Sequence, residues 1–539
     1  MFIRRLVYAL FLGLFFVSTL FLSWPASRAL FVSPDEHAAY VFADAFSDTG
    51  SLFISESLNE ELSGIIHPRS TIGYADGIVP ASFIGFIVFL GTVGAVFGKL
   101  AMFFVTPTIA IFTLFFWRDS VKRLFHDGFL ADAAAFLLML HPAFWYYSGR
   151  VMMHNVAFLG LLIFGAWWCL ALPLSARAGK QSRSVWRLFD FGVAGWIFGL
   201  ALVVRTVEMF WLMAVLGSLA FVYRSQLGWR AMVSFMIGFG IAMSCLASVN
   251  TMVYGAPFVN GYTSHYPYAE VLAADVVVSD SVETHTNFLL PFGFHEHNIL
   301  DNIWHYGWKL YPWMSVLALI GIVFVVFEKN QHRNLWRGLV ILTLCLAVWL
   351  GAVYGSWKII DNPDPSIISL GNSHVRYWLP LFALGTIFGA KTLHYLYGDG
   401  SRLRIVQVSG IAVLLVLLST RLVFFGHDGF VPSRAALQTF AVKKVAILEA
   451  TEPDSIVVVD RADKYLFPER RVVVPLRSEA TYAALPAMLE FVPVYYFGIT
   501  LPVEDIAYLN TQKLPPLGLK IELLDTVQEE SLYRFVAVP

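Results

Sequence analysis

The stretch Phe31-Val-Ser-Pro-Asp-Glu-His-Ala-Ala-Tyr40 decides how this chain is read. One apolar run, Leu6 to Trp24, precedes it. Polar sequence follows to about Gly77, and hydrophobic segments then dominate to Phe425. Two adjacent carboxylates, Asp35 and Glu36, therefore stand just beyond the far end of the first apolar helix. Ionisable groups at a membrane boundary are costly to desolvate, which marks them as candidates for function. The same residues also read as a helix start, with Ser33 as N-cap, Pro34 at N1 and acids in the first turn.

Composition sets the class. The 539 residues are 58% hydrophobic and 14% charged, with a mean hydropathy of +0.66. Soluble domains carry about 25% charged residues, so a polytopic membrane protein is expected. A net charge of −1 gives no argument for a nucleic-acid partner. The three cysteines, Cys169, Cys245 and Cys345, all fall in apolar segments, so no disulfide framework is implied. Met1-Phe-Ile-Arg-Arg before an apolar run has the look of a signal peptide. Leu6 to Trp24 is long for one and more spans follow, which favours an uncleaved first span.

Basic residues give a topology. Arg4 and Arg5 place the N-terminus in the cytoplasm. The later clusters Arg118-Lys122-Arg123, Arg177-Lys180-Arg183-Arg187, Arg224-Arg230, Lys329-Arg333-Arg337 and Arg402-Arg404 are taken as cytoplasmic too. Spans are then expected at about 100–117, 128–147, 151–173, 189–204, 207–223, 231–253, 309–327, 338–356, 376–396 and 405–425. With the first, that makes about eleven transmembrane helices. Ile78 to Gly98 breaks the parity if it crosses. It carries four glycines and opens with Pro80, and a re-entrant or interfacial segment is expected there.

The outer material lies in loops 25–77 and 254–308, in 357–375 and in the tail. Loop 254–308 holds Tyr262, His265, Tyr266, Tyr268, His285, His295, His297, Trp304, His305 and Trp308. That composition suits a sugar- or headgroup-binding surface, or an aromatic belt. His295-Glu296-His297 invites a zinc reading, but i and i+2 share a face only on a strand and no third ligand is specified. In the tail, Ala435 to Leu448 reads as an amphipathic helix with Lys443 and Lys444 on its polar side. Ser455–Asp460, Arg470–Pro475, Lys520–Leu524 and Tyr533–Val538 read as strands. The expected organisation is a transmembrane domain, 1–426, and a small α/β extracytoplasmic domain, 427–539. No glycine-rich phosphate loop follows any of these strands.

These residues carry a resemblance. Pro34-Asp35-Glu36-x-x-x-Tyr40 in the first outer loop resembles the GT-C glycosyltransferases, above all the protein O-mannosyltransferases and lipid A aminoarabinose transferases. His67-Pro68-Arg69 stands where those enzymes often carry a His-Pro or Lys-Pro element. His141-Pro-Ala-Phe-Trp-Tyr-Tyr-Ser-Gly-Arg150 is similar to their second outer turn, and His374-Val-Arg-Tyr-Trp-Leu-Pro380 to the Arg-Tyr-x-x-Pro opening a late span. The resemblance covers roughly residues 1–425. One departure is clear: His154 and Asn155 stand where the family often has an acid, which weakens any two-acid metal site.

The resemblance implies transfer of a sugar from a polyprenyl-phosphate donor to a hydroxyl of a lipid, glycan or protein acceptor, with inversion. It places the protein in a bacterial inner or plasma membrane, among membrane lipids. The leaving group is already a phosphate oxyanion, so the chemistry needs a base on the acceptor and cations on the phosphate. Asp35 holds the family's base position, with Glu36 as its partner. Arg69, Arg150 and Arg376 are candidates for the donor phosphate. Tyr40, His67, His154, Asn155, His374 and Tyr377 are candidate substrate contacts. Arg205 and Glu208 read as a local pair in an outer turn. No cofactor is required, and a divalent metal is left open. The rival reading is a lipid or glycan transporter or flippase. It would put charges midway along several helices and pseudo-repeated halves in the chain, whereas these acids crowd at one rim.

Overall fold

The computed structural model describes residues 2–23, 29–74, 76–172, 185–223, 227–262, 290–328, 332–359, 361, 362, 364, 366–398 and 400–538. The chain is mostly helical and divides into two compact units. One comprises Met1–Trp24, Phe104–Leu246 and Val282–Pro432; the other comprises Pro25–Phe103, Ala247–Ser281 and Ser433–Pro539.

The first unit is the apolar one. Each span expected within the described residues has a helix: Phe2–Thr19, Met102–Phe125, the pair Gly128–Leu140 and Pro142–Gly149, His154–Ala171, Val185–Val204, Met209–Val222, Trp229–Tyr254, Pro312–Phe327, Arg333–Gly355, Leu379–Tyr397 and Arg402–Phe425. Among the described residues, five helices are long and apolar enough to cross a membrane, and up to seven if each bent pair counts as one span. His141-Pro142 bends the Gly128–Gly149 pair by 58°. Pro142 has no N–H, and its fixed φ suits a new first turn, so the chain restarts there as a second helix. The core runs through Leu137, Phe144, Leu350 and Phe388, with Trp336 stacked 4.2 Å from Phe125. Gly321 lets two helices meet: a Cβ there would come within 1.8 Å of the Phe388 carbonyl oxygen.

The second unit holds two sheets. The segment after the first apolar helix forms β1 (Ile54–Ser55), β2 (Thr71–Tyr74) and β3 (Gly77–Pro80), ordered β1-β3-β2. Asn59, fully buried, ties the loop together by donating to the Ile66 and Gly77 carbonyls and accepting from the Ile66 N–H. The helix Ile84–Phe97 follows. Its fourteen residues reach about 21 Å at 1.5 Å each, short of a hydrocarbon core of about 30 Å.

The tail builds a five-stranded sheet from β4 (Ile456–Val459), β5 (Arg471–Val473), β6 (Val494–Ile499), β7 (Leu519–Val527) and β8 (Glu530–Ala537). The order is β5-β4-β6-β8-β7, with β4 parallel to β5 and β6, and β8 antiparallel to β6 and β7. All four expected strands are present, and β6 is an addition. One expectation is corrected. Lys443 does not lie on a polar face of its helix, Phe430–Ala450. It is buried, because Glu529 and Glu530 in the β7–β8 hairpin accept from its Nζ at 2.8 and 2.7 Å.

Candidate functional site

In the second unit, Asp35 opens the helix Pro34–Thr49. Ser33 Oγ accepts from the Asp35 N–H at 3.2 Å, and the Glu36 carboxylate accepts from the Ser33 N–H at 3.2 Å. This reciprocal cap satisfies donors that a helix start leaves open. The two acids thereby take different parts. Glu36 turns back on its own helix and is buried. Asp35 is half-buried, and its Oδ1 accepts from Ser70 Oγ at 2.6 Å. Ser70 itself is held in the left-handed region at φ 61°.

Ser70 is set by its neighbour. The Arg69 backbone N–H, Nε and Nη2 all donate to Asp463, the last at 2.6 Å. Asp463 has no exposed side-chain surface, while Arg69 keeps about a quarter of its own. Burial opposes the Arg69 charge. The carboxylate of Asp463, with Asp35 and Asp460 further off, outweighs it and raises the guanidinium pKa. Burial likewise pushes the Asp463 carboxyl up, but Arg69 holds it below the ordinary carboxylate range. Arg69 thus stands in a loop before β2, not at a helix end, joined to a residue 394 positions away.

His67 is buried beside the Pro68 carbonyl, 3.0 Å from its Nδ1, and burial lowers its pKa. His37 follows the acid pair and is also buried; desolvation pulls it down to about 4. Among the described residues neither of its ring nitrogens has a well-formed hydrogen bond, the Phe467 backbone lying only near enough to favour the proton slightly. Tyr40 packs on Phe31 and Phe103, at 5.3 and 5.5 Å between ring centroids.

The first unit holds a separate cluster, rich in cations. Arg150 ends the helix Pro142–Gly149, is buried, and donates to the Tyr146 hydroxyl at 2.5 Å. Arg376 is buried on the short helix Ser373–Tyr377, donates to Ser373 Oγ at 2.9 Å and lies 5.3 Å from the Tyr377 ring centre. Arg205 lies 4.9 Å from the same ring, so Tyr377 contacts two guanidinium groups.

Arg205 and Glu208 form the expected local pair, both buried, at 2.8 Å. The pair is also part of a wider network. Tyr354 OH donates to Glu208 Oε1 and accepts from Arg205 Nη2, each at 2.8 Å, and Trp211 Nε1 donates to Glu208 Oε2 at 2.5 Å. Arg205 Nη1 donates to His154 Nε2 at 3.0 Å. A guanidinium cannot accept, so that nitrogen carries no proton. Asn155 donates weakly to the Arg376 carbonyl at 3.4 Å, and its buried Oδ1 has no hydrogen-bond partner among the described residues. His374 is buried between Asn372 and the carbonyls of Tyr354 and Trp357, and stacks on Tyr306 at 5.3 Å.

The structure therefore brings Asp35, Glu36 and Arg69 together with Ser70 and Asp463. It separately groups Arg150, His154, Asn155, His374, Arg376 and Tyr377 near Arg205, Glu208 and Tyr354. Ser70, Asp463 and Tyr354 were not foreseen. Nothing local marks Asp463, whereas Tyr354, the one tyrosine of the apolar helix Arg333–Gly355, is a signal open to reading. His295 caps the helix Glu296–Asn302 and His297 lies in its first turn, so the two histidines do not share a strand face. Among the described residues no three histidines, cysteines or acids converge to hold a metal. The candidate loop residues His265, Tyr266, Tyr268 and His285 lie outside the described residues.

No protein-family model and no curated protein matches the chain. Solved structures do. ArnT from Cupriavidus metallidurans bound to undecaprenyl phosphate matches with a TM-score of 0.53 at 13% identity, over 98% of this chain and 97% of that one. The apo state of the same protein matches with a TM-score of 0.53 at 12% identity, over 98% of each chain. At this identity the fold is what is shared. The chain shares the fold of ArnT along nearly its whole length, and that is the fold the sequence motifs implied.

Proposed function

We propose that this protein is an integral membrane glycosyltransferase that moves a sugar from a polyprenyl-phosphate donor to an acceptor hydroxyl outside the membrane. The observation that carries the reading is the division of labour at the acid pair. Glu36 caps its helix, while Asp35 is held by Ser70 at one oxygen. The GT-C fold and the undecaprenyl phosphate bound by the solved ArnT structure support the donor class.

In this reading Asp35 accepts the proton of the acceptor hydroxyl. That oxygen attacks the anomeric carbon, the bond from carbon to phosphate oxygen breaks with inversion, and the polyprenyl phosphate leaves with both electrons. Arg150 and Arg376 stabilise the phosphate charge, since fixed donors in a dry site act without reorganising. Asn155, with an open carbonyl oxygen, accepts from a sugar hydroxyl. His154 and Tyr377 line the donor side, and Tyr40 the acceptor side. His67 and His374 support the loops that carry their arginines. Arg69, tied to Asp463, fixes Ser70 and lends its charge to the phosphate. Eleven spans, a cytoplasmic N-terminus, an outer tail and a bacterial inner or plasma membrane complete the proposal.

The test is incubation of the purified protein with a panel of polyprenyl-phosphate sugars, following release of the lipid phosphate. Release with at least one donor, dependent on added acceptor, is expected. No release across the panel, from protein that binds these lipids, contradicts the proposal.

A further inference from the structure

Beside the contact of Gly321 with Phe388, the helices Pro312–Phe327 and Leu379–Tyr397 line an apolar space. There a cavity of about 290 Å³ opens among them and the helix Arg333–Gly355. Its lining along Leu379–Tyr397 runs from Trp378 to Gly389. That is about 16 Å at 1.5 Å per residue. One leaflet of a hydrocarbon core is about 15 Å deep, half of roughly 30 Å.

The lining is apolar, and small where helices usually close up. Gly385 and Gly389 stand one turn apart, as do Ala347 and Gly351 across the space. A Cβ on Gly385 would find its nearest neighbour at 3.8 Å, and one on Gly351 at 3.6 Å. Close helix packing does not require either glycine, so both leave room. The lining hydroxyls are already committed: Ser315 donates to the Gly307 carbonyl, Thr343 to Leu339 and Thr386 to Ala383. Ile303 and Leu319, which also line the space, are exposed at its lip.

His141 differs from the rest. It lines the cavity, is 4% exposed, and is held against Phe382 and Tyr311. Its Nδ1 accepts from the Ala143 N–H at 3.3 Å as the cap of the next helix. The ring proton is therefore on Nε2, and no described residue accepts from it. The cavity thus offers a greasy slot of one leaflet's depth in which His141 Nε2 is a buried hydrogen-bond donor.

We propose that this slot binds one acyl chain of an ester-linked glycerophospholipid, whose ester carbonyl accepts from His141 Nε2. The leaflet is the outer one on the topology expected from the basic clusters. A polyprenyl chain is pure hydrocarbon along its length and leaves that donor unanswered, so the chemistry selects an acyl ester.

The full-length protein, stripped of lipid in detergent, is titrated with a phosphatidylethanolamine carrying a dibrominated acyl chain while tryptophan quenching is read. Saturable quenching is expected from the tryptophans at the slot, Trp308 and Trp378. Gly385→Leu fills the slot and should abolish the saturable phase. The diether analogue, with the same chains and headgroup but no ester carbonyl, should bind wild-type protein about two- to tenfold more weakly. His141→Phe should erase that difference. If this variant does not fold, the ester–ether comparison on wild-type protein carries the test alone. Unsaturable quenching, unchanged binding by Gly385→Leu, equal ester and ether affinities, or displacement by undecaprenyl phosphate but not by phospholipid would each overturn the proposal. The measurement needs no turnover, so its failure is distinguishable from failure of the transferase reading.

Discussion

Asp463, on the tail, accepts hydrogen bonds from the backbone and the guanidinium of Arg69, just before β2. Arg69 precedes Ser70, and Ser70 holds Asp35. The tail is thereby connected to the candidate base through two residues. Removing one partner leaves a buried charge uncompensated. Asp463→Ala should lower unfolding stability by about 3 kcal/mol, the low end for a buried pair because Arg69 keeps some exposure. Thermal unfolding in detergent reads this, and an unchanged midpoint would remove Asp463 from the framework.

The same unit should weaken in acid in two stages. His37 titrates near 4 when folded and near 6.5 when unfolded, because desolvation outweighs the pull of Asp463 and Glu469, and Lys444 opposes the charge further. Between those values the unfolded chain binds more protons, so stability falls as pH drops from about 6.5 to 4, by roughly 3 kcal/mol. Asp463, with its pKa depressed, adds a second loss as pH falls below its ordinary value. His37→Phe should remove its share of the first stage, leave the share of buried His67, whose pKa burial also lowers, and spare the second. A profile that His37→Phe leaves unaltered would show that another group titrates there.

The Arg205–Glu208 pair gives a comparison free of functional assumptions. Both side chains are buried, and Tyr354 and Trp211 share the carboxylate. Glu208→Leu alone should cost about 3–5 kcal/mol, while Arg205→Met with Glu208→Leu should recover much of the loss, since an apolar pair leaves no lone charge. The detergent unfolding midpoints of the three proteins decide it; a double variant as damaged as the single one would contradict the pairing.

Arg376→Ala and Arg150→Ala should weaken binding of a donor analogue, the stronger of them by about 2–3 kcal/mol, through loss of a charge-assisted partner. Calorimetric titration measures this. Wild-type affinity in both would leave these arginines as framework only.

How much of this the sequence disclosed depends on how local the cause is. Ser33-Pro-Asp-Glu36 is a self-contained cap, and its geometry follows from its residue types. The valine runs of β4 and β5 were legible for the same reason. The hairpin of β2 and β3 has a local turn signal in Asp76-Gly77, but the stronger pattern of the apolar run after it masks that signal. Lys443 was misplaced because a helical wheel cannot show that Glu529 and Glu530 arrive from the hairpin. Asp463 and Tyr354 belong to this second kind, since each acts on a residue more than a hundred positions away.

The topology can be read with cysteines placed in a cysteine-free background. Ser51→Cys and Glu504→Cys, both on exposed residues, should label from outside intact cells, and Ser401→Cys should not. Outside labelling of Ser401→Cys would reverse the assignment of the basic clusters.

Turnover by folded, donor-binding Asp35→Asn protein tests the central claim most directly. The amide keeps the size of the acid and its bond to Ser70 but cannot take the acceptor proton. The account predicts a loss of about 10²–10⁴-fold in rate with donor affinity retained. A purely structural Asp35, an acid in the first turn of a helix, is worth roughly 0.3–1 kcal/mol of stability and would leave turnover intact. Wild-type turnover by Asp35→Asn would contradict the assignment of Asp35 as the base.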